Sequence, residues 1–258
     1  MSAPLNIPVP DKPMPIDDVL ANWPRLRQSV LSKFDDCALS AYFEMRSAQG
    51  WTTHPAARGT IFHRFAAEAL RTMKEQDSEV IPVGMALAIL EEVLEQRDVD
   101  PVERVRVPLR EIPNLRMAAV KFARDNEFTI RNVMDIEQRL EAVLPYQDDA
   151  GVTRERLLTG QLDVLVGDNR YIDKDGVLKG VVVIDWKDTW GLPPARAEDA
   201  EDPGLSYHGF FQQRFYGWLV MKNYPQIDNV VLREFYPRRS QARPAAISRK
   251  AMPRIEED

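Results

Sequence analysis

The sequence predicts an α/β domain with a mixed central sheet flanked by helices. Three observations carry this. Over the first half of the chain, apolar residues recur at helical spacing. At about Val133 the pattern changes to β-branched runs bounded by turn residues. The resulting order is helices, three strands, helix, strand, which needs a sheet with helices packed on it. At 258 residues, 44% hydrophobic and 29% charged, the chain can bury a sizeable core in one elaborated domain. It has no run of about 18 apolar residues, so no membrane span is expected.

Residues 1–28 read as an extended N-terminal arm, proline-rich at first and without the apolar centre of a signal peptide. Residues 29–46 read as a short helix entered through Ser29 or Ser32. Arg58-Gly59-Thr60 opens a stronger helix, with Phe62, Phe65, Ala66, Ala69, Leu70 and Met73 on one stripe. A second helix follows Pro82 along Val83, Ala86, Leu87, Leu90, Val93 and Leu94, and a third starts near Asn114 with Leu115, Ala118, Ala119 and Phe122. Residues 78–131 therefore read as a helical insertion within a single domain spanning 29–258. Ile136 to Tyr146, Leu157 to Val166 and Gly180 to Lys187 read as strands, separated by Asp148-Asp149-Ala150-Gly151 and Asp173-Lys174-Asp175-Gly176 turns. A helix over Ser206 to Asn223 carries Phe211, Phe215, Trp218 and Leu219 as core, and Asn229 to Tyr236 is the last expected strand. Ile247 to Glu256 reads as the start of a helix.

The single cysteine, Cys37, excludes an intramolecular disulfide and fits a reducing, cytoplasmic setting. Net charge is −6, which by itself argues against non-specific nucleic-acid binding. The charge is uneven, however: Arg214 to Arg254 holds nine basic residues against Asp228 and Glu234. A basic patch on an acidic protein is compatible with an enzyme that turns nucleic acid over.

The chemistry concentrates in Val181-Val-Val-Ile-Asp-Trp-Lys-Asp188. In a strand, Asp185 and Lys187 share one face while Ile184 and Trp186 share the other. A carboxylate two residues before an ammonium can hold a divalent cation beside a group that orients water and offsets charge on a phosphate. Asp163, in Gly160-Gln-Leu-Asp-Val-Leu-Val166, is a charge inside an apolar strand. It is either solvent-facing or a second metal ligand from a neighbouring strand, and Mg²⁺ commonly takes only one or two protein carboxylates. His63 lies at the edge of its helix's apolar stripe. Gln212 and Tyr216, four apart on one helix face, read as a boundary pair or as the lining of a cleft. His54 and His208 fall in loops or helix starts, and there is no zinc motif, phosphate loop, dinucleotide fingerprint or nucleophile elbow.

Taken in order, Gly59-x-x-x-His63, Gly160-x-x-Asp163, Asp185-x-Lys187 and Gln212-x-x-x-Tyr216 resemble the RecB-like branch of the PD-(D/E)XK nuclease superfamily, which includes phage-borne and CRISPR-associated exonucleases. Ser29-x-x-Ser32-x-Phe34-x-x-Cys37 is similar to that group's N-terminal motif. The resemblance covers Ser29 to Tyr236. It implies a restriction-endonuclease-like core that binds Mg²⁺ or Mn²⁺ and hydrolyses DNA. It further implies that His63, Asp163, Asp185 and the backbone carbonyl of Trp186 ligate metal, that Lys187 assists the attacking water, and that Gln212 and Tyr216 support the site or contact DNA. Many relatives hold an iron–sulfur cluster on four cysteines; one thiolate cannot, so this chain is expected to be cluster-free.

The expected function is a metal-dependent deoxyribonuclease, an exonuclease rather than an endonuclease, with DNA as partner and no membrane. Thr189 to Ser206 is a candidate lid or an ordinary loop. The alternative is a catalytically weak nuclease-fold module that binds DNA or a protein, and a protein partner or homo-oligomer stays open. A third alternative makes the helical insertion the functional part.

Overall fold

A computed structural model describes residues 25–27, 54–96, 107–124, 129–148, 150–187, 211–236 and 241–257 of the protein. In chain order these form β1 (Arg25–Arg27), α1 (His54–Glu75), α2 (Val83–Gln96), α3 (Ile112–Arg124), β2 (Val133–Gln147), β3 (Thr153–Gly167), β4 (Gly180–Trp186), α4 (Phe211–Asn223), β5 (Asn229–Tyr236), β6 (Gln241–Ser248) and α5 (Met252–Glu257). The expected motif at Ser29 to Cys37 with its helix, the Thr189 to Ser206 segment, and His208 lie outside the described residues. Among the described residues no helix is long and apolar enough to cross a membrane.

The strands form one mixed sheet ordered β1-β3-β4-β5-β6, with β2 paired to β3. β2 and β3 run antiparallel, β4 is antiparallel to β3, β5 is parallel to β4, and β6 returns antiparallel to β5. β3 is the hub. Along one edge it pairs with β2 over nearly its whole length. Along the other it meets β1 at 157–159 and β4 at 164–167, leaving 160–163 between the two partners.

Each sheet face buries its own core. On one, α1, α2 and α3 pack over Val164, Val166, Ile184, Trp186 and Phe235. The expected stripe of α1 is wholly buried there, as are Ala86, Leu90, Val93 and Leu94 of α2 and Leu115, Ala118, Ala119 and Phe122 of α3. Trp186 anchors this layer, edge-on to Phe62, Phe122 and Phe235 with centroids 6.3, 5.5 and 5.4 Å away. On the other face, α4 and α5 cover Leu158, Leu162, Leu165, Val181, Val183, Val230 and Leu232. Gly160 permits α4 to come close: a Cβ there would lie 2.7 Å from Leu219 Cδ1 and 3.1 Å from Tyr216 Cε1.

Some elements differ from expectation. α1 begins at His54 rather than Arg58, with Pro55 in its first turn, where a missing N–H costs nothing. Arg25–Arg27, within the expected arm, is a strand parallel to β3. Ile247 and Ser248 close strand β6, and the C-terminal helix begins only at Met252.

Candidate active site

The site lies where β4 leaves β3. The last paired residues are Val164 and Ile184, and one step further come Asp163 and Asp185. There the Trp186 backbone N–H donates not to a β3 carbonyl but to Asp163 Oδ2, at 2.8 Å. The Lys187 N–H donates to the Phe235 carbonyl at 2.9 Å, so β4 stays tied to β5 as it parts from β3. An unsatisfied buried N–H costs about 1–3 kcal/mol, so the carboxylate also holds the split sheet together.

His63 reaches in from α1, one helical turn after Gly59, with Nδ1 2.9 Å from Asp163 Oδ1. Burial would lower the imidazole's pKa, but the Asp163 carboxylate, by charge and hydrogen bond, and then Asp185, raise it to about 9. At neutral pH His63 is therefore an imidazolium that donates to Asp163. Lys187 Nζ lies 2.5 Å from Asp185 Oδ2. The buried carboxylate is thus paired with a half-buried ammonium. Burial pushes Asp185 up, Lys187 partly offsets this and Asp163 adds to it, placing the carboxyl at about 6. For Lys187 burial works downward, yet Asp185, Glu234 and Asp163 together hold its ammonium above the ordinary value. Ile184 and Trp186 are buried in the α1–α3 core, on the face opposite this pair.

Two further acids flank the site that the sequence reading did not single out. Glu234 of β5 is paired in register with Asp185 and is buried. Glu137 of β2 lies between Ile136 and Gln138, which pair with Val164 and Leu162, so it stands opposite Asp163. Burial, and next the Asp163 charge, push its carboxyl upward. An acidic residue in a strand gives no sign of its cross-strand neighbours until the register is known. Tyr216 is buried in the α4 core against Gly160 and Phe215. Gln212 lies in the first turn of α4, and its side chain is outside the described residues.

The donor types suit a divalent cation: carboxylates from adjacent strands, Asp163 and Asp185, and the imidazole of His63. Among the described residues no three His, Cys, Asp or Glu side chains converge as a ready-made cage. Asp163 is instead bonded to His63 and the Trp186 N–H, and Asp185 is paired with Lys187. A nearby cavity of about 290 Å³, lined by Phe122, Asp168, Arg170, Ile184, Arg233 and Phe235, meets these residues only through Trp186.

The family model of the PD-(D/E)XK nuclease superfamily matches residues 25–257. The chain belongs to the PD-(D/E)XK nuclease superfamily. Its mixed sheet with helices on both faces is the restriction-endonuclease-like fold of that superfamily. Members are generally metal-dependent phosphodiesterases, which sets the coarse activity of this nuclease-fold chain. No curated protein matches it.

Proposed function

We propose that the chain is a Mg²⁺- or Mn²⁺-dependent DNA exonuclease of the RecB-like branch, related in kind to phage and CRISPR-associated exonucleases and working in the cytoplasm. The observation that carries this reading is the meeting of four motif residues at one point: His63 on Asp163, Lys187 on Asp185, and the two carboxylates one step beyond the β3–β4 pairing. Residues 29–258 act as one nuclease domain, with 78–131 as its helical insertion.

Asp163, Asp185, the Trp186 carbonyl and His63, as the neutral imidazole once metal binding displaces its proton, would hold the cation, which when bound supplies Lewis-acid activation of water and stabilises charge on the phosphate. Lys187 stays protonated, so it orients the nucleophile and offsets phosphate charge rather than removing a proton. Trp186 holds the strand end in place through its aromatic neighbours. Tyr216, buried against Gly160, supports β3, and Gln212, one turn earlier on α4, is proposed to support the site or contact DNA. The net charge of −6 keeps a second reading in play, a nuclease-fold module that binds without cleaving.

The test uses end-labelled linear and closed circular DNA with Mg²⁺, Mn²⁺ or EDTA. Metal-dependent loss of linear DNA, with circles surviving, supports the exonuclease. Nicked or cut circles make it an endonuclease. Folded protein that leaves both intact with every metal, yet binds DNA in a salt-sensitive way, moves the reading to the binding module.

A further inference from the structure

The cavity beside the site has a floor built by three strands. Val166 of β3 pairs with Val182 of β4, Ile184 with Arg233 of β5, and Trp186 with Phe235, so these side chains lie next to one another on the sheet. Phe122 of α3 adds a wall, its ring centroid 5.5 Å from that of Trp186. The polar side comes from the turn that leaves β3, Asp168-Asn169-Arg170, and from Thr129 and Asn132. A void left by imperfect packing is apolar throughout. This cavity is instead aromatic and aliphatic on its floor and polar at its rim, which is the make-up of a ligand site. Its volume of about 290 Å³ is at the small end for such sites, so it suits one small molecule.

The charge at the rim is unbalanced. Arg170 donates to Asp168 from Nε at 2.9 Å and from Nη2 at 2.6 Å. The Arg233 charge also reaches this carboxylate, and together with Arg170 it holds the Asp168 pKa below the usual range. Among the lining side chains two guanidiniums therefore accompany one carboxylate, which favours an anion. Asn169 Nδ2 donates to Asn132 Oδ1 at 3.3 Å, a bond that uses only part of what two amides can donate and accept.

We propose that this cavity binds a single nucleotide, its base against Phe122, Phe235 and Ile184 and its phosphate at Arg170 and Arg233. Aromatic rings stack on bases of any kind. Side-chain amides match the donors and acceptors of a base edge. Guanidiniums take phosphate oxygens in pairs. The site lies on the α1–α3 face, opposite the Asp185–Lys187 pair, and it needs no metal.

The test is equilibrium dialysis of labelled dAMP against the wild-type chain in EDTA, so the result does not depend on the metal-dependent reading. Deoxyadenosine and inorganic phosphate should each bind about 10-fold or more weakly than dAMP, since each keeps only part of the contacts. Arg233→Gln should weaken dAMP about 10-fold and leave deoxyadenosine unchanged. Val182→Phe, which fills the floor, should abolish the binding of both, with thermal melts confirming that both variants are folded. A tetradeoxyadenylate that binds more tightly than dAMP makes the occupant a strand end, and equal or weaker binding makes it a free nucleotide. The inference is overturned if the folded wild-type chain does not bind dAMP, or if inorganic phosphate binds equally well. It is likewise overturned if both variants keep wild-type dAMP affinity, which places the nucleotide elsewhere.

Discussion

Lys187 sits among carboxylates drawn from three neighbouring strands, Asp163, Asp185 and Glu234, and this keeps its ammonium charged. Removing the ammonium should therefore spare cation binding and cost turnover. Lys187→Ala is predicted to bind Mn²⁺ at least as well as wild type while cleaving about 10²-fold or more slowly, read by titration beside single-turnover hydrolysis. His63 gives the pH prediction. Its folded pKa of about 9 lies above the ordinary 6.5, so its contribution to metal-free stability is full below 6.5 and is lost as pH rises through about 9. Two and a half pKa units correspond to roughly 3 kcal/mol as an upper limit. In EDTA, wild type should out-melt His63→Gln at pH 6 and lose that advantage by pH 9.5; a gap independent of pH would contradict the imidazolium–Asp163 pair. Asp163, Asp185, Lys187 and His63 stand out in the sequence because each interrupts an apolar pattern. Glu137 and Glu234 do not, since Glu137 is surrounded by other charged and polar residues of β2, and Glu234 follows Arg233 in a strand that looks half-exposed.

The elements explain why the chemistry falls at one place. β3 keeps β2 on one edge but changes partner on the other, and residues 160–163 lie between the two partners. Gly160 lets α4 close over it, with Leu219, Tyr216 and Phe215 at its surface. A methyl group there has to displace fully buried Leu219 or the Tyr216 ring. Gly160→Ala is predicted to lower unfolding free energy by about 1–3 kcal/mol, measured by denaturant titration. If activity per folded molecule also falls, the shift reaches Asp163 three residues on. The helices were legible because six apolar positions of α1 and four each of α2 and α3 repeat at helical spacing, and these are the residues in the core. β6 was not: Pro244 and Arg243 interrupt its pattern, and an edge strand tolerates a proline that a central one does not. β1 is three residues long, too short for periodicity to register.

At the scale of the molecule, the sheet divides two cores, and the site occupies the seam where both reach the same strands. Trp186 ties the site to one of them: its ring belongs to the α1–α3 core, its N–H donates to Asp163, and Asp185 and Lys187 flank it in sequence. Trp186→Ala should cost about 3–5 kcal/mol by calorimetric melting, a large share of a domain's stability. The succession of helices and then strands along the chain was legible from the change of pattern at Val133. The partner switch of β3 was not, because its second partner on that edge, β1, is the three residues Arg25-Leu26-Arg27, which carry no strand pattern. The central claim is that Asp185, beside Asp163, makes this chain a metal-dependent nuclease. Its most direct test is hydrolysis of an end-labelled linear duplex in Mg²⁺ by wild type and by Asp185→Asn, both shown folded by circular dichroism. The account predicts label release by wild type, abolished by EDTA and reduced about 10²-fold or more in Asp185→Asn. Equal release by the two proteins, or release that survives EDTA, would contradict it.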